Sequence, residues 1–446
     1  MFLLGLVTLA FLFLYWTLLP ARLRRPSFMA VSLLALTAYA PLSVAVLGLL
    51  TAITFLLLRR SQPSGPSPWP AATTTIVLCL AALAGHKLAH VPSEFLGRFL
   101  PAAFLRPAET GAALRLLGVS YAVFRLIHVA VDSARGRLQV QGLGRLLEYV
   151  LFPPSFLSGP IERYRDFETN VDTSRLPLDA ALWGTRRILF GLLKKVFLVE
   201  PLLGAADRRL AALATASTFQ AWEAVLAFSL FIYLDFSAYC DIALGLARLF
   251  GFRLSENFRW PYLAASITEF WRDWHITLSN WLRDYVYLPL SVRLTHVSAL
   301  RRRPLLAASL SALVTMLACG IWHGTGVSFA VWGLGHGMLL AGHQAYRQRV
   351  LSRLSARQRR ALAGSVPYRW ACTAVTFSLV SVLWLLFRFE PPEAGRYTLK
   401  LLGLMRSGGS SSETLVEGDR HLLVQLGRVV RNEVAAQRPA PGEEAR

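Results

Sequence analysis

Stretches of nearly uninterrupted apolar residues, each about as long as a helix that crosses a bilayer, recur along the chain and limit its fold more than any other feature. They lie at residues 2–19, 29–58, 71–91, 113–131, 222–252, 305–321, 326–346 and 371–388, several of them bounded by arginines. Lipid leaves every backbone polar group to be satisfied internally, which long continuous apolar runs achieve as helices. With 54% of its 446 residues hydrophobic and 16% charged, the chain is too apolar for one soluble core of this length. The expected class is all-α and polytopic. The first run has no lysine or arginine ahead of it and no small-residue cleavage site behind it, so it is expected to remain as a first helix rather than leave as a signal peptide.

A net charge of +21 would suit a nucleic acid, but the basic residues fall between the apolar runs: Arg22, Arg24 and Arg25, then Arg59 and Arg60, Arg301, Arg302 and Arg303, and the arginines between 347 and 360. That is the positive-inside pattern, which puts these loops in the cytoplasm and leaves no soluble module to present a nucleic-acid surface. Because basic loops flank the run at 29–58, it must cross an even number of times, and Pro41 in its middle is expected to break it into a helical hairpin. The stretches at 61–70 and 106–111 read as connectors. Beyond residue 405 apolar character gives way to Gly, Ser, Pro and charge, so the membrane domain is expected to span 1–405, followed by a flexible tail over 406–446 with a short helix around 420–435. No internal repeat of the kind many transporters carry is present. Cys79, Cys240, Cys319 and Cys372 lie in or beside apolar stretches without CxxC spacing, so neither a disulfide framework nor a cysteine metal site is indicated.

Three segments are too polar for simple spanning helices. Residues 146–167 carry Pro153, Pro154, Gly159 and Pro160, which break a helix and suggest a segment dipping into the membrane inside the protein. Residues 184–197 set Arg186 and Arg187 two turns from Lys194 and Lys195, a basic stripe read as an interfacial helix with snorkelling cations. Residues 268–290 repeat Trp271, Trp274, Leu278, Trp281 and Tyr285 at spacings of three and four, predicting one helix with an aromatic face, a second row of Arg272, His275, Ser279 and Arg283, and a third of Asp273, Thr277, Asn280 and Asp284. Such a helix suits a protein-lined, partly wet cavity.

Ionisable residues inside apolar segments are costly and mark candidate sites. His323 is the sharpest: Gly320, Gly324 and Gly326 flank Trp322 and His323 between two apolar runs, where backbone can approach closely. Cytoplasmic arginines precede the first of these runs and follow the second, so His323 sits at the turn, at or beyond mid-membrane. A neutral imidazole there could take the proton from an acceptor hydroxyl as it attacks a thioester, or could be a buried histidine bonded for structure. His336 and His343, two turns apart among Gly333, Gly335, Gly337 and Gly342, read as close helix packing. His86 and His90 have i, i+4 spacing but lack the glutamate and third ligand of an HExxH zinc site. Asp235 and Asp241 need partners, with Tyr233, Tyr239 or Arg248 as candidates. No GxSxG elbow, Walker A pattern or GxGxxG supports a hydrolase, ATPase or dinucleotide reading.

At GVSYAVFRLIHVAVDSARG (118–136), FPPSFLSGPIERYRDF (152–167), FGLLKKVFL (190–198), the block at 232–290 containing FWRDWH, and CGIWHGTGVSFAVWG (319–333), the sequence resembles the membrane-bound O-acyltransferase superfamily, in its alginate O-acetyltransferase and D-alanyl transfer branch. The likeness covers nearly the whole chain to about residue 405. It implies a ring of about 9–11 transmembrane helices, with re-entrant and interfacial helices, around a central cavity. It implies that His323, in the WHG motif, is catalytic and that His275, in FWRxWH, is a second functional position. Trp322, Arg272, Trp274, Ser279, Arg283, Asn257 and Asp235 are the further candidates for the cavity and substrate channel. Arg125 and the GHKLAH stretch depart from the expected residues and receive no role.

The implied activity is passage of an acyl group, acetyl in the leading reading, from a cytoplasmic thioester toward a hydroxyl on an extracytoplasmic polysaccharide or other cell-envelope glycan. No bound cofactor is expected, acetyl-CoA or another acyl thioester being the donor substrate, and the place is a bacterial cytoplasmic membrane. A separate periplasmic or extracellular serine esterase-like acyltransferase is the implied partner. An acyl or aminoacyl carrier protein as donor is the alternative on the same fold, since the basic stripe would suit CoA phosphates or an acidic protein equally. A transporter or flippase is the reading from another class.

Overall fold

A computed structural model describes residues 2–60, 67–88, 116–211 and 215–404. The tail over 406–446, the connector at 106–111, most of that at 61–70, and His90 lie outside the described residues. Among the described residues there is no strand beyond one isolated bridge between Val171 and Phe252. The α-helices, in order, are α1 (Phe2–Thr17), α2 (Ala21–Tyr39), α3 (Pro41–Arg60), α4 (Trp69–Leu88), α5 (Val119–Ala134), α6 (Leu143–Val150), α7 (Tyr164–Thr169), α8 (Leu178–Leu193), α9 (Glu200–Ala211), α10 (Thr218–Leu249), α11 (Ile267–Asp273), α12 (Ile276–Leu282), α13 (Leu288–His296), α14 (Ser298–Arg301), α15 (Pro304–His323), α16 (Val327–Arg349), α17 (Ala356–Gly364), α18 (Val366–Trp384) and α19 (Pro391–Leu401).

Five of these helices, α3, α4, α10, α15 and α18, are long and apolar enough to cross a membrane by length and composition. Their outer faces leave Leu49, Leu56, Val77, Leu80 and Val375 exposed, as side chains that meet lipid would be. Pro41 opens α3 directly after the break at Ala40, giving the expected hairpin of α2 and α3. Helix α10 is capped by Ser217, whose hydroxyl accepts from the Gln220 N–H while Gln220 Oε1 accepts from the Ser217 N–H.

Close backbone approach fixes two pairs of helices. A Cβ on Gly333 would lie 2.2 Å from the Met316 carbonyl, and one on Gly320 2.1 Å from that of Phe329, so α15 and α16 touch main chain to main chain. Gly184, Gly191 and Gly245 do the same between α8 and α10. Gly342, grouped with the packing glycines in sequence, faces open space.

The basic stripe, which runs from α8 into the turn beyond it, is a seam at three of its four cations, while Arg186 stays exposed. Arg187 and Lys194 both pair with Asp241, at 2.7 and 2.6 Å, Arg187 also reaches Glu256, and Lys195 pairs with Asp235. Lysines and arginine, not Tyr233, Tyr239 or Arg248, are therefore the partners of the two α10 carboxylates. A charge in an apolar setting is held most cheaply by an opposite charge. Arg24 and Arg25 are also engaged: Arg24 donates to five backbone carbonyls, among them those of Thr173 and Ser174, and Arg25 pairs with Glu148 and Glu168 at 2.8 and 2.6 Å.

The irregular stretch at 151–163 is buried, with Phe152, Phe156, Ile161 and Glu162 in the core. Its backbone groups are satisfied by side chains from neighbouring helices, which permits non-helical chain inside a membrane protein. Arg125, 2% exposed on α5, donates to the carbonyls of Tyr149, Val150 and Ser155 and to the Ser155 hydroxyl. His128 Nε2 accepts from the Tyr164 N–H, and the Thr277 hydroxyl accepts from the Ile161 N–H.

Candidate active site

The segment at 268–290 is not the single helix its spacing predicts. It breaks between α11 and α12: Trp274 is extended and His275 has φ 42°, ψ 55°, a left-handed conformation rare for a side chain of this size. Residues 257–259 hold the break open, because the Ile276 N–H donates to the Asn257 carbonyl and the Arg259 N–H to that of Asp273. The row of Arg272, His275, Ser279 and Arg283 is thereby dismantled. Arg272 and Arg283 are exposed, and Ser279 donates to the Trp274 carbonyl across the break. The aromatic face survives as core: Trp271, Trp274, Leu278 and Trp281 are all buried. Trp274 packs among Tyr233, Phe258, Tyr262, Phe270 and Trp384.

His275 is 2% exposed, and its environment fixes its proton. Asn257 Oδ1 receives the Thr277 N–H at 3.2 Å and the Thr277 hydroxyl at 2.9 Å, so that atom is the amide oxygen and can only accept. His275 Nδ1, 3.1 Å from the same oxygen, must therefore donate. The neutral ring then carries its lone pair on Nε2, which is buried and meets no donor among the described residues. An imidazole oriented by a third group, with its other nitrogen free, is the arrangement a base requires. Its faces meet Phe236, edge-on at 4.8 Å, and Tyr121, stacked at 6.5 Å.

Tyr121 links this ring to the second histidine. It packs edge-on against Trp322 at 5.7 Å, and Trp322 against His323 at 4.7 Å. His323 is the last residue of α15; Gly324 and Gly326 then turn the chain into α16, as the spacing predicts. A Cβ on Gly324 would fall 2.2 Å from the Phe329 ring, so this turn closes against aromatic side chains. The imidazole is half-buried, bounded by Trp322, Trp332 and Phe387. The indole N–H groups of Trp322 and Trp332 are buried and have no acceptor among the described residues.

The structure thus gathers His275, Asn257, Trp322 and His323 around Tyr121, while Trp274 belongs to the adjoining core and Asp235 to the α8–α10 seam. Tyr121, Trp332 and Phe387 were invisible as site residues in the sequence, where an aromatic in an apolar run has no distinguishing mark. Arg125 and His128 carried a signal, being charged or polar groups inside an apolar run, and the structure makes both braces of the 151–163 stretch.

A model of the family described as MBOAT, membrane-bound O-acyltransferase, matches residues 112–385, which contain all of these groups except Phe387. The chain is 36% identical over 294 residues to a Pseudomonas fluorescens protein named "Probable alginate O-acetylase AlgI", covering 65% of this chain and 54% of that one. It is 32% identical to the peptidoglycan O-acetyltransferase of Helicobacter pylori, over 59% of this chain and 48% of the relative. It is 28% identical to the teichoic acid D-alanyltransferase of Bacillus subtilis, over 53% and 60%. The chain spans about half the length of the curated relatives it matches.

Proposed function

Because the chain belongs to the membrane-bound O-acyltransferase family, we propose that this multi-pass membrane protein passes an acyl group, acetyl in the first instance, from a cytoplasmic thioester toward a hydroxyl on an extracytoplasmic glycan. The observation that carries the proposal is the pair of imidazoles flanking Tyr121 and Trp322: one oriented by Asn257 with a free lone pair, the other at the glycine turn between α15 and α16. In this reading His323 takes the proton of the acceptor hydroxyl as its oxygen attacks the thioester carbon, and His275 completes the site. General-base assistance of this kind contributes about 10²–10⁴ in rate.

The names of the three relatives refer to alginate, peptidoglycan and teichoic acid, all cell-envelope polymers, which favours an acceptor of that class. Acetyl-CoA is the proposed donor, a bacterial cytoplasmic membrane the proposed place, and a separate extracytoplasmic acyltransferase the proposed partner for the last step. The test is mass spectrometry of envelope glycans from cells with and without the gene, paired with labelled acetyl-CoA and the purified chain. Loss of glycan acetyl groups in the deletion strain, together with label transfer by the chain, is the expected result. Unchanged acetylation and no transfer from any thioester would overturn the proposal.

A further inference from the structure

His336 on α16 is completely buried, and its sequence setting reads as helix packing. Packing accounts for Gly333, Gly335 and Gly337, each of which lies against a neighbouring helix. It does not account for the imidazole. The Trp271 Nε1–H donates to His336 Nδ1 at 3.3 Å, so Nδ1 holds the lone pair and the neutral ring carries its proton on Nε2. That Nε2–H is buried and has no acceptor among the described residues. Trp332 repeats the pattern: it is completely buried, its indole nitrogen can only donate, and that donor is also unpartnered among the described residues. The two rings are in contact, with centroids 4.6 Å apart, and the Trp332 ring also meets His323 at 5.2 Å. Two adjoining buried donors without acceptors cost free energy that a fold seldom tolerates unless something else supplies an oxygen.

We propose that the His336 Nε2–H and the Trp332 Nε1–H are hydrogen-bond donors to the acyl oxygen of the thioester. This rests on the acyl-transfer reading above. As the acceptor oxygen bonds to the acyl carbon, the carbonyl pair moves onto the acyl oxygen, where the two donors hold the negative charge. The pair then returns, the carbon–sulfur bond breaks, and the departing thiolate takes the proton that His323 removed from the hydroxyl. His336 does not titrate in this cycle. It acts as a fixed dipole, so a side chain that keeps a donor without an imidazole serves in its place.

The test uses the full chain in lipid nanodiscs with labelled acetyl-CoA and a hydroxyl acceptor, comparing His336→Leu, His336→Gln and Trp332→Phe. Loss of one donor to a developing oxyanion lowers turnover by about a hundredfold. His336→Leu and Trp332→Phe should each fall that far in kcat with little change in KM for the donor. His336→Gln keeps an N–H and should recover to within about tenfold of the unaltered chain, with the same pH profile. The carbonyl stretch of bound [1-¹³C]acetyl-CoA, read by infrared difference spectroscopy in a His323→Ala background, should lie lower than in water and return toward the free value in His336→Leu. The Trp332→Phe change, with the carbonyl stretch read in that variant as well, keeps the question answerable if His336→Leu does not fold. A glutamine variant as inactive as leucine, or a carbonyl stretch indifferent to His336, would overturn the assignment. If the unaltered chain transfers no acyl group, the acyl-transfer reading itself falls; if it does and the leucine variant is equally fast, only the donor assignment falls.

Discussion

His275 holds a left-handed backbone conformation that costs a side chain with a Cβ roughly 1–2 kcal/mol, and such positions persist where the surrounding structure fixes them. Asn257 decides which nitrogen of this ring keeps the lone pair, and in the proposed function that nitrogen faces the site. Asn257→Ala should therefore lower kcat for acyl transfer by about tenfold to a hundredfold, less than removal of the base itself, with the donor's KM little changed; steady-state kinetics on purified protein would show it. His323→Ala should cost a hundredfold or more, within the usual range for a lost base. His323→Gln can keep a hydrogen bond but cannot cycle a proton and should be nearly as inactive, so near-normal transfer in both variants would remove His323 from the mechanism. In the sequence His323 stood out by residue type and setting, and His275 through the family resemblance. The proton positions of His275 and His336 were not legible, because a tautomer is set by partners distant in sequence: Asn257 for His275, and Trp271, 65 residues away, for His336.

Periodicity located most of the elements, and it failed at His275. Five long apolar helices and the Pro41 hairpin follow from run length and proline chemistry. The spacing across 268–290 also places the aromatic face correctly, since Trp271, Trp274 and Trp281 are all core. What spacing could not register is a break containing neither Gly nor Pro, imposed by the 257–259 segment that pairs with it. Glycine signals were more reliable between helices. Gly333→Val would drive a side chain into the Met316 carbonyl and should destabilise the α15–α16 pair by about 1–3 kcal/mol, seen as a lower melting temperature in detergent. Gly342→Ala, with no atom within 4 Å of its new methyl group, should leave stability unchanged or raise it by about 0.5–1 kcal/mol. Equal melting shifts for the two would mean that the close approach is not the source of the glycine requirement.

For the molecule as a whole, the positive-inside pattern sets a topology that can be read by labelling. Cysteines placed at Arg60, Arg302 and Arg353 should react with an impermeant maleimide only from the cytoplasmic side, and labelling of Arg60→Cys from outside would overturn the α2–α3 hairpin assignment. Arg24 and Arg25 belong to the same pattern in sequence but are spent on the interior, which charge counting alone cannot distinguish. Their contacts have a further meaning for dissection of the chain. Residues 112–385 carry the family likeness, yet α1 and α2 are sewn to them: the Tyr15 hydroxyl and Trp16 indole donate to the carbonyls of Phe250 and Leu249, and Arg25 supplies charge to the buried Glu148 and to Glu168. A chain trimmed to the recognisable stretch would keep both proposed catalytic histidines but lose the Arg25 partner of Glu148, leaving that buried carboxylate to the half-exposed Arg145 alone. The smallest piece that can be identified by descent is thus smaller than the smallest piece that could stand alone.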